Sequence, residues 1–118
     1  MGTIQIKRIY RPAEKTDGVR VLIDRLWPRG LKREDIQIHE WLKEVAPSTA
    51  LRKWAHHSPE KWQEFEAKYR LELEQNDAVN NLLAIISENE VVTLLYAARD
   101  QKQNHALVLL EFLKYYKK

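Results

Sequence analysis

An α/β domain with a mostly parallel sheet of three to four strands flanked by helices is predicted by three features of the sequence. Val19–Ile23 is β-branched and apolar apart from Arg20, and it follows the turn pair Asp17-Gly18. Val91–Tyr96 is apolar almost throughout, the composition of a strand buried on both faces. Between and after these two runs, apolar residues recur at spacings of three and four, the period of amphipathic helices. Strands early and late, with helices between and after them, make one small α/β layer domain over residues 1–118.

Taken in order, Ile4, Ile6 and Ile9 with Gln5, Lys7 and Arg8 interleaved predict a first strand over residues 3–10. Arg11-Pro12 ends it, because proline brings no ladder donor and restricts the residue before it. The link Ala13–Gly18 is short and polar. A parallel crossover usually takes a dozen or more residues, so a hairpin loop fits equally and the relative direction of the first two strands stays open. Leu31–Asp35 reads as a short helical turn or loop. In Ile36–Val45, the residues Ile36, Ile38 and Leu42 fit a strand while Trp41, Leu42 and Val45 fit a helix face; a short strand near Ile38–Lys43, closed by Pro47, is the reading adopted.

Ser48 is placed to cap a helix running to about His56, with Leu51, Trp54 and Ala55 on one face. Ser58-Pro59-Glu60 is a stronger start signal: a cap residue, a proline in the first turn, then an acid near the positive end of the helix dipole. The helix it opens carries Trp62, Phe65, Tyr69 and Leu73 to about Gln75. Asn76 or Asp77 then caps a third helix bearing Val79, Leu82, Leu83, Ile85 and Ile86. After the polar break Glu88–Glu90 and the strand Val91–Tyr96, the residues Ala106, Leu107, Leu110 and Leu113 mark a last helix from about Lys102 to Lys118.

Composition removes several classes of function. No run approaches the ~20 apolar residues that span a bilayer, and the N-terminus lacks the apolar core of a signal peptide, so no membrane partner and a cytoplasmic location are expected. The absence of cysteine excludes disulfides, thiol catalysis and Cys-ligated zinc. Histidines at 39, 56, 57 and 105 form no zinc signature, and the adjacent His56-His57 pair points in diverging directions on a helix. GxGxxG, GxxxxGK[ST], GxSxG and HExxH are all missing. With three glycines in the chain, a phosphate would be gripped by side chains and a helix end rather than a glycine loop. No cofactor or metal is expected. A net charge of +3 is too modest for a dedicated DNA-binding footprint, which makes nucleic acid an unfavoured partner. Trp41, Trp54, Trp62, Phe65 and Tyr69 read as core, and Lys114, Lys117 and Lys118 around Tyr115 and Tyr116 as a solvated helix end, weak RNA contact being the sharper alternative.

What matters is where the positive charge falls. The strand Val19–Ile23 opens straight into Asp24, Arg25, Trp27, Pro28, Arg29 and Gly30. In open α/β sheets, ligands sit just beyond the carboxyl ends of the strands. The first strand leaves through Tyr10-Arg11, and the late one through Tyr96-Ala97-Ala98-Arg99-Asp100, with the final helix beginning near Asn104-His105. If the second and late strands are parallel neighbours, these exits converge on an anion site. Arg11, Arg25, Arg29 and Arg99 would offer planar forks for phosphate or carboxylate, and Asn104 would mark a helix N-terminus adding backbone donors. Trp27 and Tyr96 would wall the pocket. Asp24 and Asp100 would orient the arginines or accept a proton, and His105 would carry it. The plainer alternative makes Asp24–Arg25 and Arg99–Asp100 internal salt bridges and the two aromatics lids on the core.

Asp24-Arg25-Leu26-Trp27-Pro28-Arg29-Gly30, Trp41-Leu42-Lys43 with Ala46-Pro47-Ser48, and Leu94-Leu95-Tyr96-Ala97-Ala98-Arg99-Asp100 with Asn104-His105-Ala106 together resemble the short YeaO-like proteins, a bacterial family of unknown function. The resemblance covers essentially the whole chain. It implies a small cytoplasmic α/β protein and carries no activity with it. A longer branch of that family holds a Cys-His pair where this chain has Asn104-His105, so thiol chemistry in that branch could not operate here. The functional reading is an enzyme or sensor for an anionic, phosphorylated small molecule, a hydrolase or transferase among the options; the alternative is a non-catalytic nucleic-acid- or protein-binding module.

Overall fold

The computed structural model describes residues 2–56 and 58–115. Its strands are β1 (Thr3–Arg8), β2 (Val19–Leu22), β3 (Glu40–Trp41) and β4 (Val91–Tyr96), and its α-helices are α1 (Thr49–Ala55), α2 (Trp62–Glu74), α3 (Ala78–Glu88) and α4 (His105–Lys114). The strands form one sheet in the order β1-β4-β2-β3, and every neighbouring pair is parallel. The fold class is therefore α/β.

The open question of direction resolves as a crossover. β1 and β2 flank β4 on opposite sides, with Arg8 level with Tyr96 and Leu22 with Leu95. The link between them passes over β4 with only a 3-10 turn at Lys15–Asp17. This shortcut depends on Gly18. Its φ is 62°, and a Cβ there would stand 2.2 Å from the Val91 carbonyl oxygen, so a side chain is excluded where the link crosses the strand.

Other elements follow their local signals, with three adjustments. The strand expected near Ile38–Lys43 contracts to Glu40–Trp41 at the sheet edge. Asp77 precedes α3, but its side chain makes no cap; Asn76 Oδ1 accepts the Ala78 N–H instead, at 2.9 Å. The last helix begins at His105 rather than Lys102. The predicted end at Lys118, with Tyr116 and Lys117, lies outside the described residues, as does His57. Ser48 does cap α1, accepting the Leu51 N–H at 3.1 Å. No helix among the described residues is long and apolar enough to cross a membrane.

Strand alternation divides the sheet into two unlike faces. One presents Val21, Ile23, Val92, Leu94 and Tyr96 to residues of all four helices, among them Leu51, Tyr69, Leu73, Leu82 and Leu109. Burial pushes the Tyr69 phenol strongly up, and its hydroxyl donates to the Val45 carbonyl at 2.6 Å. Among the described residues, no α-helix packs on the other face. Ile9, Leu22 and Leu95 lie under Trp27, Leu31, Ile36, Ile38 and Trp41, all from non-helical segments. Parallel sheets are usually covered by helices on both sides.

The helix-free face carries a buried ionic network where a strand pattern alone would suggest apolar packing. Asp17 is 1% and Arg20 3% exposed. The Asp17 carboxylate takes Arg20 Nη1 and the Glu14 N–H on one oxygen and Lys7 Nζ, at 2.8 Å, on the other. Arg20 Nε donates to the Gln37 carbonyl at 2.7 Å. Thr93 Oγ1 donates to the Asp17 carbonyl and accepts from Gln5 Nε2. The network binds the crossover to three strands.

Burial opposes ionisation of Asp17, but Lys7, the Glu14 N–H and Arg20 outweigh it and hold the carboxyl below the ordinary aspartate range. Hydrogen bonds to Asp17 and then Glu14 raise Lys7 against burial. A depressed carboxyl stabilises the fold above its unfolded pKa, and that contribution is lost as pH falls through the folded value. A raised ammonium contributes fully below its unfolded pKa, and that contribution is lost as pH rises through the folded value. The urea midpoint should therefore fall below about pH 4 and above about pH 10.5. Asp17→Asn should flatten the acid limb when midpoints are compared across pH.

Candidate functional site

Because β1, β2 and β4 are parallel and in register, their chains leave the sheet at one edge. There, a hollow of about 560 Å³ opens, lined by the guanidinium-bearing Arg8, Arg29, Arg52 and Arg99 and by one acidic residue, Asp24. Tyr10, Leu26, Trp27, Pro28 and Ala97 complete its wall. Arginines outnumber the single carboxylate along this wall, so its balance of formal charge is positive.

Each wall residue is held by a different element. Arg8, the last residue of β1, lays Nε on the Ala98 carbonyl at 2.9 Å and Nη2 on the Ala97 carbonyl at 3.1 Å. Its guanidinium lies 4.9 Å from the centre of the Tyr10 ring, whose hydroxyl donates to the Arg29 carbonyl at 2.9 Å. Trp27 packs edge-on against Trp41 at 5.5 Å and donates Nε1–H to the Leu31 carbonyl at 2.6 Å. Arg52 comes from α1, which two contacts at its start fix in place. Arg25 donates from Nε to the Pro47 carbonyl and from Nη2 to the Ala46 carbonyl, both at 3.1 Å. Glu72 of α2 accepts the Ser48 N–H and hydroxyl at 2.9 and 2.6 Å.

Asp24 ties two strand exits to the start of α4. Its Oδ2 accepts the Ala97 N–H at 3.0 Å, and its Oδ1 lies 3.0 Å from His105 Nε2. The same Nε2 stands 3.2 Å from the Ile23 carbonyl. Asp24 Oδ1 is buried beside the imidazole without a hydrogen bond of its own.

Of the residues expected at the site, Asp24, Trp27, Arg29 and Arg99 line the hollow. The others do not, each for a visible reason. Arg25 spends its fork on backbone carbonyls. Arg11 is exposed on the turn after β1 and does not reach the wall. Tyr96 is buried in the helix-side core. Asp100 Oδ1 accepts the N–H groups of Lys102 and Gln103, which hold its carboxyl below the ordinary range. Asn104 caps α4 itself, accepting the Leu107 N–H at 3.0 Å and donating to the Asp100 carbonyl. The helix end proposed as an anion seat is thus closed by its own side chains. His105 faces Asp24 and Ile23. The internal pairs Asp24–Arg25 and Arg99–Asp100 do not form; Asp24 pairs with His105. Arg8, Tyr10 and Arg52 are the wall residues missing from the expected set. Arg8 could have been found as the last residue of a strand whose carboxyl end was already suspected. Arg52 carries no local signal at all.

This difference in partners separates two neighbouring arginines. Arg25→Ala removes two hydrogen bonds from a charged donor and is expected to cost about 1–3 kcal/mol in urea unfolding. Arg29, whose guanidinium has no protein partner among the described residues, should change to alanine within about 0.5 kcal/mol of wild type.

The match to a family model covers residues 3–117, and the model describes the inactive DUF488-N3 subclade. The chain belongs to this family. Among curated proteins, it is 48% identical over 111 residues to the uncharacterized protein YeaO of Escherichia coli (strain K12), covering 94% of this chain and 96% of YeaO. It is 39% identical over 110 residues to the uncharacterized protein Rv3073c of Mycobacterium tuberculosis (strain ATCC 25618 / H37Rv), covering 93% of this chain and 92% of that protein. No solved structure matches it. The YeaO-like family expected from the motifs is therefore the family found.

In this DUF488-N3 member, the groups that would move protons are engaged with one another or with backbone. Asp24 and His105 face inward together, Asp100 shapes a turn, and the chain has no cysteine. Among the described residues, no three histidine, aspartate or glutamate side chains gather to hold a metal.

Proposed function

We propose that this protein binds a phosphorylated small molecule in the hollow at the strand carboxyl ends and releases it unchanged. The observation that carries this reading is the convergence of Arg8, Arg29, Arg52 and Arg99 on one hollow with only Asp24 to offset them. Holding four guanidinium groups together is unfavourable by mutual repulsion, and a phosphate relieves it while accepting several of their forked donors. Turnover is left out of the reading because Asp24, Asp100 and His105 are spent on structural contacts. The description of the subclade as inactive agrees with this.

The test is a thermal-shift series with inorganic phosphate, ribose 5-phosphate and citrate, paired with phosphorus NMR of the phosphorylated ligand. A ligand at a hundred times its Kd should add about 2.7 kcal/mol of stability and raise the melting temperature by several degrees. The ligand resonance should persist unaltered through long incubation. A melting temperature that stays flat for all three anions at 10 mM would sink the binding claim, and a new phosphorus resonance would sink the claim of no turnover.

A further inference from the structure

We infer that the ligand carries a planar ring joined to its phosphate, as a nucleoside 5′-monophosphate does, and that the ring stacks on Tyr10. This rests on the anion reading and goes beyond it, because the hollow combines two kinds of chemistry. Arginines would satisfy a bare phosphate, yet about 560 Å³ is far more room than one phosphate fills and lies within the range of small-molecule pockets. Apolar side chains make up part of its wall. Among the described residues, four large hydrophobic side chains are exposed, and two of them, Tyr10 at 41% and Leu26 at 63%, border this hollow.

Tyr10 is prepared to receive a ring. Its hydroxyl is tethered to the Arg29 carbonyl at 2.9 Å, and the Arg8 guanidinium lies over one face of the ring at 4.9 Å. A ring already immobilised loses little further entropy when a base stacks on its other face, and a cation on the first face strengthens the stack. Trp27 is a poorer platform. Its N–H is committed to Leu31, and Trp41 meets it edge-on. Leu26 and Pro28, on the chain leaving β2, line the same hollow.

Calorimetric titration with inorganic phosphate, ribose 5-phosphate and AMP tests this. AMP should bind about tenfold more tightly than ribose 5-phosphate, the gain typical of one base on one aromatic ring. Tyr10→Ala should erase that preference, the ratio of the ribose 5-phosphate and AMP Kd values falling to about one, and Tyr10→Phe should retain it. Tyr10→Leu, which keeps bulk without a ring, stands in if the alanine variant does not fold. Equal affinities for AMP and ribose 5-phosphate in the wild type would overturn the ring inference and leave anion binding intact. A preference that survives Tyr10→Ala or Tyr10→Leu would overturn the assignment to Tyr10. Failure of every phosphate compound to bind would overturn the underlying anion reading instead.

Discussion

Replacing Asp17 by alanine is expected to lower the stability of this protein by about 3–5 kcal/mol, the cost of leaving a buried charge without its partner. Asp17 accepts from Arg20, Lys7 and the Glu14 N–H, and both it and Arg20 are inaccessible to solvent. Arg20 keeps its bond to the Gln37 carbonyl in the variant, but its guanidinium loses the only carboxylate within ion-pair distance among the described residues. The double variant Asp17→Ala/Arg20→Met should be markedly more stable than Asp17→Ala alone, because it removes the stranded charge with its partner. Urea unfolding at pH 7 followed by far-UV circular dichroism measures both. A loss below about 1 kcal/mol in the single variant would mean that the network is dispensable to the fold.

The second large effect is on ligand binding. Arg52→Glu should weaken a phosphate-bearing ligand by about 10- to 100-fold, since it removes a charge-assisted contact and adds a repulsive charge to the wall. Arg52 is exposed, and its guanidinium makes no protein hydrogen bond or ion pair among the described residues, so the melting temperature without ligand should stay within about 2 °C of wild type. Titration of ribose 5-phosphate into both proteins reads the ratio. The contrast with Arg25 is informative because Arg25 builds the site from behind. It clamps the carbonyls of Ala46 and Pro47, whose next residue caps the helix that bears Arg52. An Arg52→Glu protein that binds as well as wild type would show that the ligand does not use this side of the hollow.

The residues at the strand exits were legible because a buried strand that opens into Asp24, Trp27 and Arg29 breaks its own pattern. That rule points to the sheet edge and says nothing of which partner each side chain takes. Arg25 sits one position from Asp24 and turns to the Ala46–Pro47 carbonyls instead, and nothing local distinguishes it from Arg29. Asp100 and Asn104 are polar residues near a helix start, a pattern that suits a binding site and a cap alike. The same short side chains are what a helix start uses to satisfy its free N–H groups, and that local use is the one observed.

By itself, the sequence determined the periodicities and thereby most elements, and the capping of α1 by Ser48. These follow from contacts between residues a few positions apart. Only the tertiary structure decided that β4 lies between β1 and β2, that the short crossover seals an ionic network on a face without helices, and that Arg8 and Arg52 meet across the same hollow. The strand order and the meeting of Arg8 with Arg52 join residues dozens of positions apart, and the network joins segments that share no local pattern. Their partners are selected by burial and geometry, and neither leaves a repeating mark along the chain.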